Sequence, residues 1–387
     1  MLALPVSTGM AGFFPSLLLF IFYWVYMTYT ALLMLEVNLW MHEGTNLNSM
    51  ARRTLGKVGQ ACSWLVYLFL LYALTTAYIA GSTPIVIDVV ESLTGKRLPE
   101  WAGAMPLLVI FGFFVYKGTR LVDLVNRLLM LGLVVAYVAM VVFLTPYVNV
   151  DLLERVDMRY IWMGVSVIAT SFGFHIIIPS LVSYLDRDVV KLKRVILIGS
   201  SIPLVVYILW EFLALGIIPV NGEYGILAGY VKGANGVHLL TAFLGNSLIA
   251  MVARFFSFFA IVTSFLGVSL SLFDFLADGL GIKKTRGGRC MLYLMTFVPP
   301  LLITLIDPRA FLSALEYAGA FGVVTLLGLL PALMVWSGRY RKKLSLKSTY
   351  HVAGGKLALV VVMLISLSVI GMEIAVKAGW LMLEYSN

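Results

Sequence analysis

One apolar run, YIWMGVSVIATSFGFHIIIPSLVSYL, carries Thr170, Ser171, Gly173 and His175 at its centre and Pro179 soon after. Proline removes a main-chain donor and clashes with the preceding turn. Glycine lowers the cost of unwinding. In lipid, freed main-chain groups must face protein or a water-filled cavity. A break in this run therefore suits a binding site lined by backbone; a simple proline kink is the alternative. His175 lies at the break. An unperturbed imidazole titrates near about pH 6.5, so His175 could move a proton or donate to a ligand. A neutral, hydrogen-bonded histidine is the other reading.

Further ionisable residues sit inside apolar runs: Glu36, Arg127, Glu211, Arg254, Glu316 and Glu373. Such groups are functional candidates in a membrane. Glu36 and Arg127 fall near the ends of their runs, which favours a structural ion pair or an inner-gate latch over a proton carrier. Tyr72, Thr75, Thr76 and Ile79 recur at helical spacing and share one face. Thr263, Ser264, Gly267 and Ser269 form a second polar cluster. Both clusters suit either a ligand's polar end or hydrogen bonding between helices.

These residues must be positioned by membrane helices. Of 387 residues, 61% are hydrophobic and 12% charged. A soluble domain carries about a quarter charged residues, so this chain must sit in lipid. The net charge of +9 comes from short basic clusters between apolar runs. That pattern is a membrane-protein bias and excludes a nucleic-acid partner. Cys62 and Cys290 offer no metal spacing or disulfide framework and read as free thiols. There is no His-Glu-x-x-His, Gly-x-Ser-x-Gly or P-loop motif, so neither an enzyme, a cofactor nor ATP drive is expected.

Ten spans follow an opening fragment: Phe13–Met41, Val58–Val90, Trp101–Tyr116, Leu121–Leu144, Tyr160–Leu185, Val195–Ile218, Leu248–Leu276, Cys290–Ile306, Leu312–Trp336 and Val352–Val376. The Gly-rich stretch 219–247 between two of them reads as a partly helical lid. Alternate loops hold nineteen Lys and Arg residues against seven in the others. The positive-inside rule puts the basic loops in the cytoplasm and the C-terminus outside.

By the same parity the opening MLALPVSTGMAGFFPS emerges outside. It reads as the outer end of a first helix whose inner part is missing; a short extracellular N-terminus is the alternative. LALPVS at Leu2–Ser7 and IIIPSL at Ile176–Leu181 share a pattern of apolar residues, proline and a small residue. Counting the fragment as a helix, the short spans are the fourth and ninth. Two five-helix repeats are expected, about 1–144 and 160–336, with an additional helix at about 352–376. Five is odd, so the second repeat runs inverted. Interrupted helices at matching places in two halves point to a transporter's central site.

MLALPVSTGMAGFFP, YTALLMLEVNLWMHEGTNLNSMARRTLGKVG and TSFGFHIIIPSLVSYL resemble the hydroxy and aromatic amino acid permease family, with the bacterial tyrosine- and tryptophan-specific permeases nearest. The resemblance implies an all-α, polytopic inverted-repeat fold with the first and sixth helices discontinuous. It also implies import of tyrosine or tryptophan across the bacterial cytoplasmic membrane. Proton coupling is expected over sodium. The family's first helix has a Gly-rich motif of which only Leu2–Pro5 is present here. A non-transporting remnant, or a carrier of another neutral amino acid, are the alternatives. On this resemblance Ala3 and Leu4 line one side of the substrate and Ser171, Phe172, Gly173 and Phe174 the other, beside Thr170. Half-helix N-termini suit a carboxylate and C-terminal carbonyls an ammonium. Phe172 or Phe174 would stack on the aromatic side chain. Tyr72, Thr76 and Ser264 would reach its polar end, and His175, Glu36 and Arg127 would serve coupling or gating.

Overall fold

The computed structural model describes residues 1–42, 45–307, 309–347, 349–378 and 380. Glu43 and Gly44, within one stretch that carries the family resemblance, lie outside them. Among the described residues all regular structure is helical, and ten helices are long and apolar enough to cross a membrane. The chain runs through α1 (Leu4–Thr8), α2 (Phe13–Leu39), α3 (Leu47–Thr94), α4 (Glu100–Lys117) and α5 (Thr119–Leu144). A divided span follows, α6 (Val165–Ser171) and α7 (Ile178–Tyr184), and then α8 (Val189–Leu215). The expected lid forms two short helices, α9 (Ile226–Lys232) and α10 (Gly236–Leu244). The last four are α11 (Ser247–Leu280), α12 (Arg286–Ile306), α13 (Ala310–Arg341) and α14 (Gly355–Lys377).

Each expected span has a counterpart, and the differences have local causes. α3 starts earlier than expected, but Gly56 (φ 83°, ψ −164°) turns the chain inside it. Only glycine takes that backbone freely, so the spanning part starts close to the expected Val58. α13 runs past the expected Trp336 because Ala318–Leu329 and Ser337–Arg341 wind as wider π turns. Hydropathy does not register the change of turn in the apolar Ala318–Leu329, and it ends the span at Trp336 because Ser337–Arg341 is polar and basic. π turns collect at functional sites.

The chain folds as two compact units interleaved along the sequence. One comprises Met1–Phe14, Leu68–Met158 and Trp210–Leu315. Within it α5 packs along α11, where Gly132 makes room for the Phe259 ring. The outer face of α5 presents Leu124, Leu128, Leu131, Val135, Val138 and Val142. Their spacing of three and four is a continuous stripe for lipid. The other unit comprises Pro15–Tyr67, Arg159–Leu209 and Glu316–Asn387. Its central helix is α13, with 78% of its apolar window buried against 17% for the span containing α5. α13 packs on α6 and α14.

Candidate functional site

α6 ends at Ser171, and the chain leaves helical geometry at Phe172 (φ −102°, ψ 14°) and Phe174 (φ −112°, ψ 0°). A 3-10 turn, His175–Ile177, then leads into α7. Pro179 lies in the first turn of α7. There its missing N–H costs no helical hydrogen bond. The proline therefore starts a new helix rather than kinking an old one, and the interruption lies upstream of it.

The interruption is held by specific partners. The Tyr207 hydroxyl donates to the Ser171 carbonyl at 3.0 Å, and its ring meets Phe172 edge-on at 5.4 Å. Thr170 and Ser171 hydroxyls donate back to the Ser166 and Val167 carbonyls at 3.0 and 2.9 Å. Phe172 and His175 are buried, whereas Thr170, Ser171, Gly173 and Phe174 are half-buried. Of the two candidate rings, Phe172 is thus engaged in packing and Phe174 keeps an accessible face. Gly173 is turned toward α13, where an added Cβ would stand 3.2 Å from Leu327 and 3.4 Å from Val323. At Gly319 of α13 a Cβ would overlap the Ser166 carbonyl oxygen, so the two backbones touch.

His175 is fully buried, with Nε2 2.8 Å from the Thr30 hydroxyl of α2. That hydroxyl also donates to the Met27 carbonyl at 3.1 Å. A hydroxyl has one proton, so with that proton on the Met27 carbonyl the Thr30 oxygen accepts from Nε2–H. Nδ1 has no hydrogen-bond partner among the described residues. The neutral, hydrogen-bonded histidine fits this geometry.

Glu36 is also fully buried and accepts from Arg339 Nε at 2.7 Å and from Nη2. It accepts in addition from the Val352 amide at 2.7 Å, with His351 Nδ1 at 3.4 Å. Arg339 donates onward to the Val352 carbonyl at 2.8 Å. This bidentate pair fastens α2 to α13 and to the segment before α14, a structural ion pair of the kind expected for Glu36. Arg127 behaves differently: it pairs with Asp123 one turn away at 2.8 Å, on an exposed face. An exposed pair of this kind is worth about 0.3–0.5 kcal/mol and latches nothing.

A second ionic group, with two buried carboxylates and an exposed lysine, joins α13, α14 and α6. Lys377 Nζ lies 2.9 Å from Glu316 and 3.7 Å from Glu373, and 5.0 Å from the Tyr317 ring centre. The Ser166 hydroxyl donates to Glu373 at 2.8 Å.

In the other unit, Ala3 and Leu4 are buried. The Ala3 carbonyl accepts from the Ser7 amide and hydroxyl, each at 3.0 Å, and the Leu4 carbonyl from the Thr8 hydroxyl at 2.7 Å. Thr8 also hydrogen-bonds Glu211. Tyr72 donates to the Met295 carbonyl at 2.7 Å, Thr76 to the Tyr72 carbonyl at 2.9 Å, and Ser264 pairs with Tyr78. Tyr72 and Ser264 are thus bonded to neighbouring helices within this unit, and Thr76 to its own helix.

The model of the tryptophan/tyrosine permease family matches residues 1–373. The chain belongs to that family. The permease is 34% identical to "Tyrosine-specific transport system 1" of Haemophilus influenzae, over 98% of this chain and 94% of the relative. It is 32% identical to the "Tryptophan-specific transport protein" of the same organism, over 98% and 93%. The crystal structure of a manganese transporter from Eremococcus coleocola superposes with a TM-score of 0.52 at 11% identity, covering 94% of this chain and 87% of that one. That likeness concerns the fold alone. The permease is thus a multi-pass membrane transport protein and not an enzyme. Arg339, Thr30, Tyr207 and Ser166, which hold its candidate residues, were not singled out in the sequence. Arg339 stood there only as one basic residue in a loop count.

Proposed function

We propose that this permease imports tyrosine or tryptophan across the bacterial cytoplasmic membrane by proton symport with alternating access. The interruption at Phe172–Phe174 carries this reading. It takes Phe172 and Phe174 out of helical geometry within a membrane span, where main-chain groups that lose helical partners must be met by a ligand, protein or trapped water. An amino acid presents a carboxylate and an ammonium that suit such groups. Phe174 offers its open face to an aromatic side chain, worth about 0.5–1.5 kcal/mol beyond area burial. Both named relatives are described as carriers of aromatic amino acids. In this reading the second of two repeats, at about 160–336, contributes the interrupted span α6–α7, and α1 opens the first, at about 1–144.

For coupling, Glu373 is the better candidate proton site than His175. Its carboxylate is buried, lies near Glu316 and Lys377, and holds Ser166 on the divided span. Gain or loss of a proton there acts directly on α6. The charge pattern supports an outside C-terminus. The test is uptake of labelled tyrosine into proteoliposomes, with tryptophan, phenylalanine and leucine as competitors, at varied pH and sodium. Competition by aromatic amino acids and drive by an inward proton gradient are expected. Uptake that ignores the proton gradient and follows sodium overturns the coupling. Stronger competition by leucine overturns the substrate.

A further inference from the structure

Within the first unit a cavity of about 430 Å³ opens between the end of α3, the lid helix α10 and the start of α11. None of the residues discussed as substrate site lines it. From α3 it takes Asp88 and Glu91, one helical turn apart. From α10 comes His238, whose Nδ1 is 4.0 Å from Asp88. From α11 come Arg254 and Ser257, again one turn apart. Glu91 has a loose partner in Arg97 at 3.8 Å. Among the described residues Arg254 has no ion pair. Ser257 is 2% exposed, and its hydroxyl has no hydrogen-bond partner among the described residues. A buried polar group left unsatisfied costs about 1–3 kcal/mol, so this hydroxyl calls for a ligand or water.

The distribution of charge identifies the ligand class. A simple anion on Arg254 would meet Asp88 and Glu91 across the cavity. A simple cation on those carboxylates would meet Arg254. A dipolar ligand satisfies both walls at once. We infer that this cavity is a second, surface-facing binding site for the zwitterion of an α-amino acid, which captures substrate before it enters the transport path. Arg254 and Ser257 hold the carboxylate, and Asp88 with Glu91 holds the ammonium. Pro84, Ile85 and Val237 give the side chain an apolar wall. The volume lies within the usual range of small-molecule sites. Identifying the captured amino acid as aromatic rests on the proposed function; the dipolar chemistry does not. A phosphatidylethanolamine headgroup is dipolar too, and the test separates it.

The experiment measures uptake and equilibrium binding of labelled tyrosine and tryptophan with the full chain in phosphatidylcholine vesicles. Arg254→Gln and Asp88→Asn should each raise KM about tenfold, the effect of losing one charged hydrogen bond, with the maximal rate retained. Arg254→Lys should fall between Arg254→Gln and the unaltered protein, and Ser257→Ala should have a smaller effect. The retained maximal rate reports an intact fold. An unchanged KM in Arg254→Gln and Asp88→Asn overturns the site and leaves the proposed function standing. So does an effect seen only when phosphatidylethanolamine is present. Should the unaltered protein take up no aromatic amino acid, binding of a panel of other amino acids decides. Binding that needs Arg254 upholds the site while the substrate reading falls, and no binding at all overturns both.

Discussion

Glu36 and Arg339, 303 positions apart in sequence, form a two-pronged ion pair whose carboxylate is wholly shielded from solvent. The guanidinium side chain is only 11% exposed. Breaking a buried pair by removing one partner costs about 3–5 kcal/mol, because the other charge is left in a dry site. Glu36→Ala and Arg339→Gln should therefore lower the melting temperature of the purified protein clearly. Arg339→Lys should not restore it, since an ammonium cannot make the paired hydrogen bonds of a guanidinium. Melting followed by fluorescence-detected size exclusion checks this. An unchanged midpoint in both variants would show that the pair contributes nothing.

Gly319 presses its backbone onto the Ser166 carbonyl. Gly319→Ala must separate α13 from α6 or distort one of them, at about 1–3 kcal/mol for overpacking. Gly267 of α11 has open space around it and is the control. The same melting assay should show a loss for Gly319→Ala and almost none for Gly267→Ala.

Gly173 tolerates little more than itself. An alanine needs Leu327 to shift by a few tenths of an ångström, whereas a leucine has no room between Leu327 and Val323. Leucine also favours continuous helix over an interruption. At matched membrane abundance, Gly173→Leu should lose uptake at least tenfold while Gly173→Ala keeps most of it. Near-normal uptake by Gly173→Leu would remove this span from the substrate path.

Glu373→Gln keeps the shape of the side chain and its bond to Ser166 but cannot titrate. If Glu373 carries the coupled proton, this variant should fail to accumulate substrate against a gradient when driven by a pH difference. It should still exchange labelled for unlabelled substrate at equal concentrations. Accumulation equal to that of the unaltered protein would clear Glu373 of the role.

Topology is open to direct labelling. Lys343 and Ala378 are both exposed and follow the last helical turns of α13 and α14. In a background with Cys62 and Cys290 replaced by serine, Ala378→Cys should react with an impermeant maleimide in intact cells. Lys343→Cys should react only after the membrane is opened. The reverse pattern would invert the charge-based orientation.

The ten spans, most of their ends to within about six residues, and the partly helical character of the stretch 219–247 were legible in the chain itself. Thr170, Ser171, Gly173, His175 and Pro179 drew attention to the run in which helical geometry is left at Phe172 and Phe174, though a simple proline kink was the alternative. Family membership was legible too, from three stretches. An ion pair at Glu36 was among the expectations, but its partner Arg339 was not named. Arg127, grouped with it on position alone, turned out to serve only its own helix turn. The change of winding inside α13 left no trace in its hydropathy.

These outcomes divide along a physical line. A bilayer obliges each span to satisfy its own main chain, so helix formation and length follow from some twenty consecutive residues. Which helices touch follows no such local rule, since lipid and helix surfaces are equally apolar and hydropathy cannot tell them apart. His175 finds Thr30 across 145 positions, Ser166 finds Glu373 across 207, and Glu36 finds Arg339 across 303. The sequence alone therefore determined that this is a many-helix membrane permease and where one helix breaks. Only the tertiary structure decided which polar groups meet, because that depends on the close approach of backbones at positions such as Gly319 and not on any local pattern.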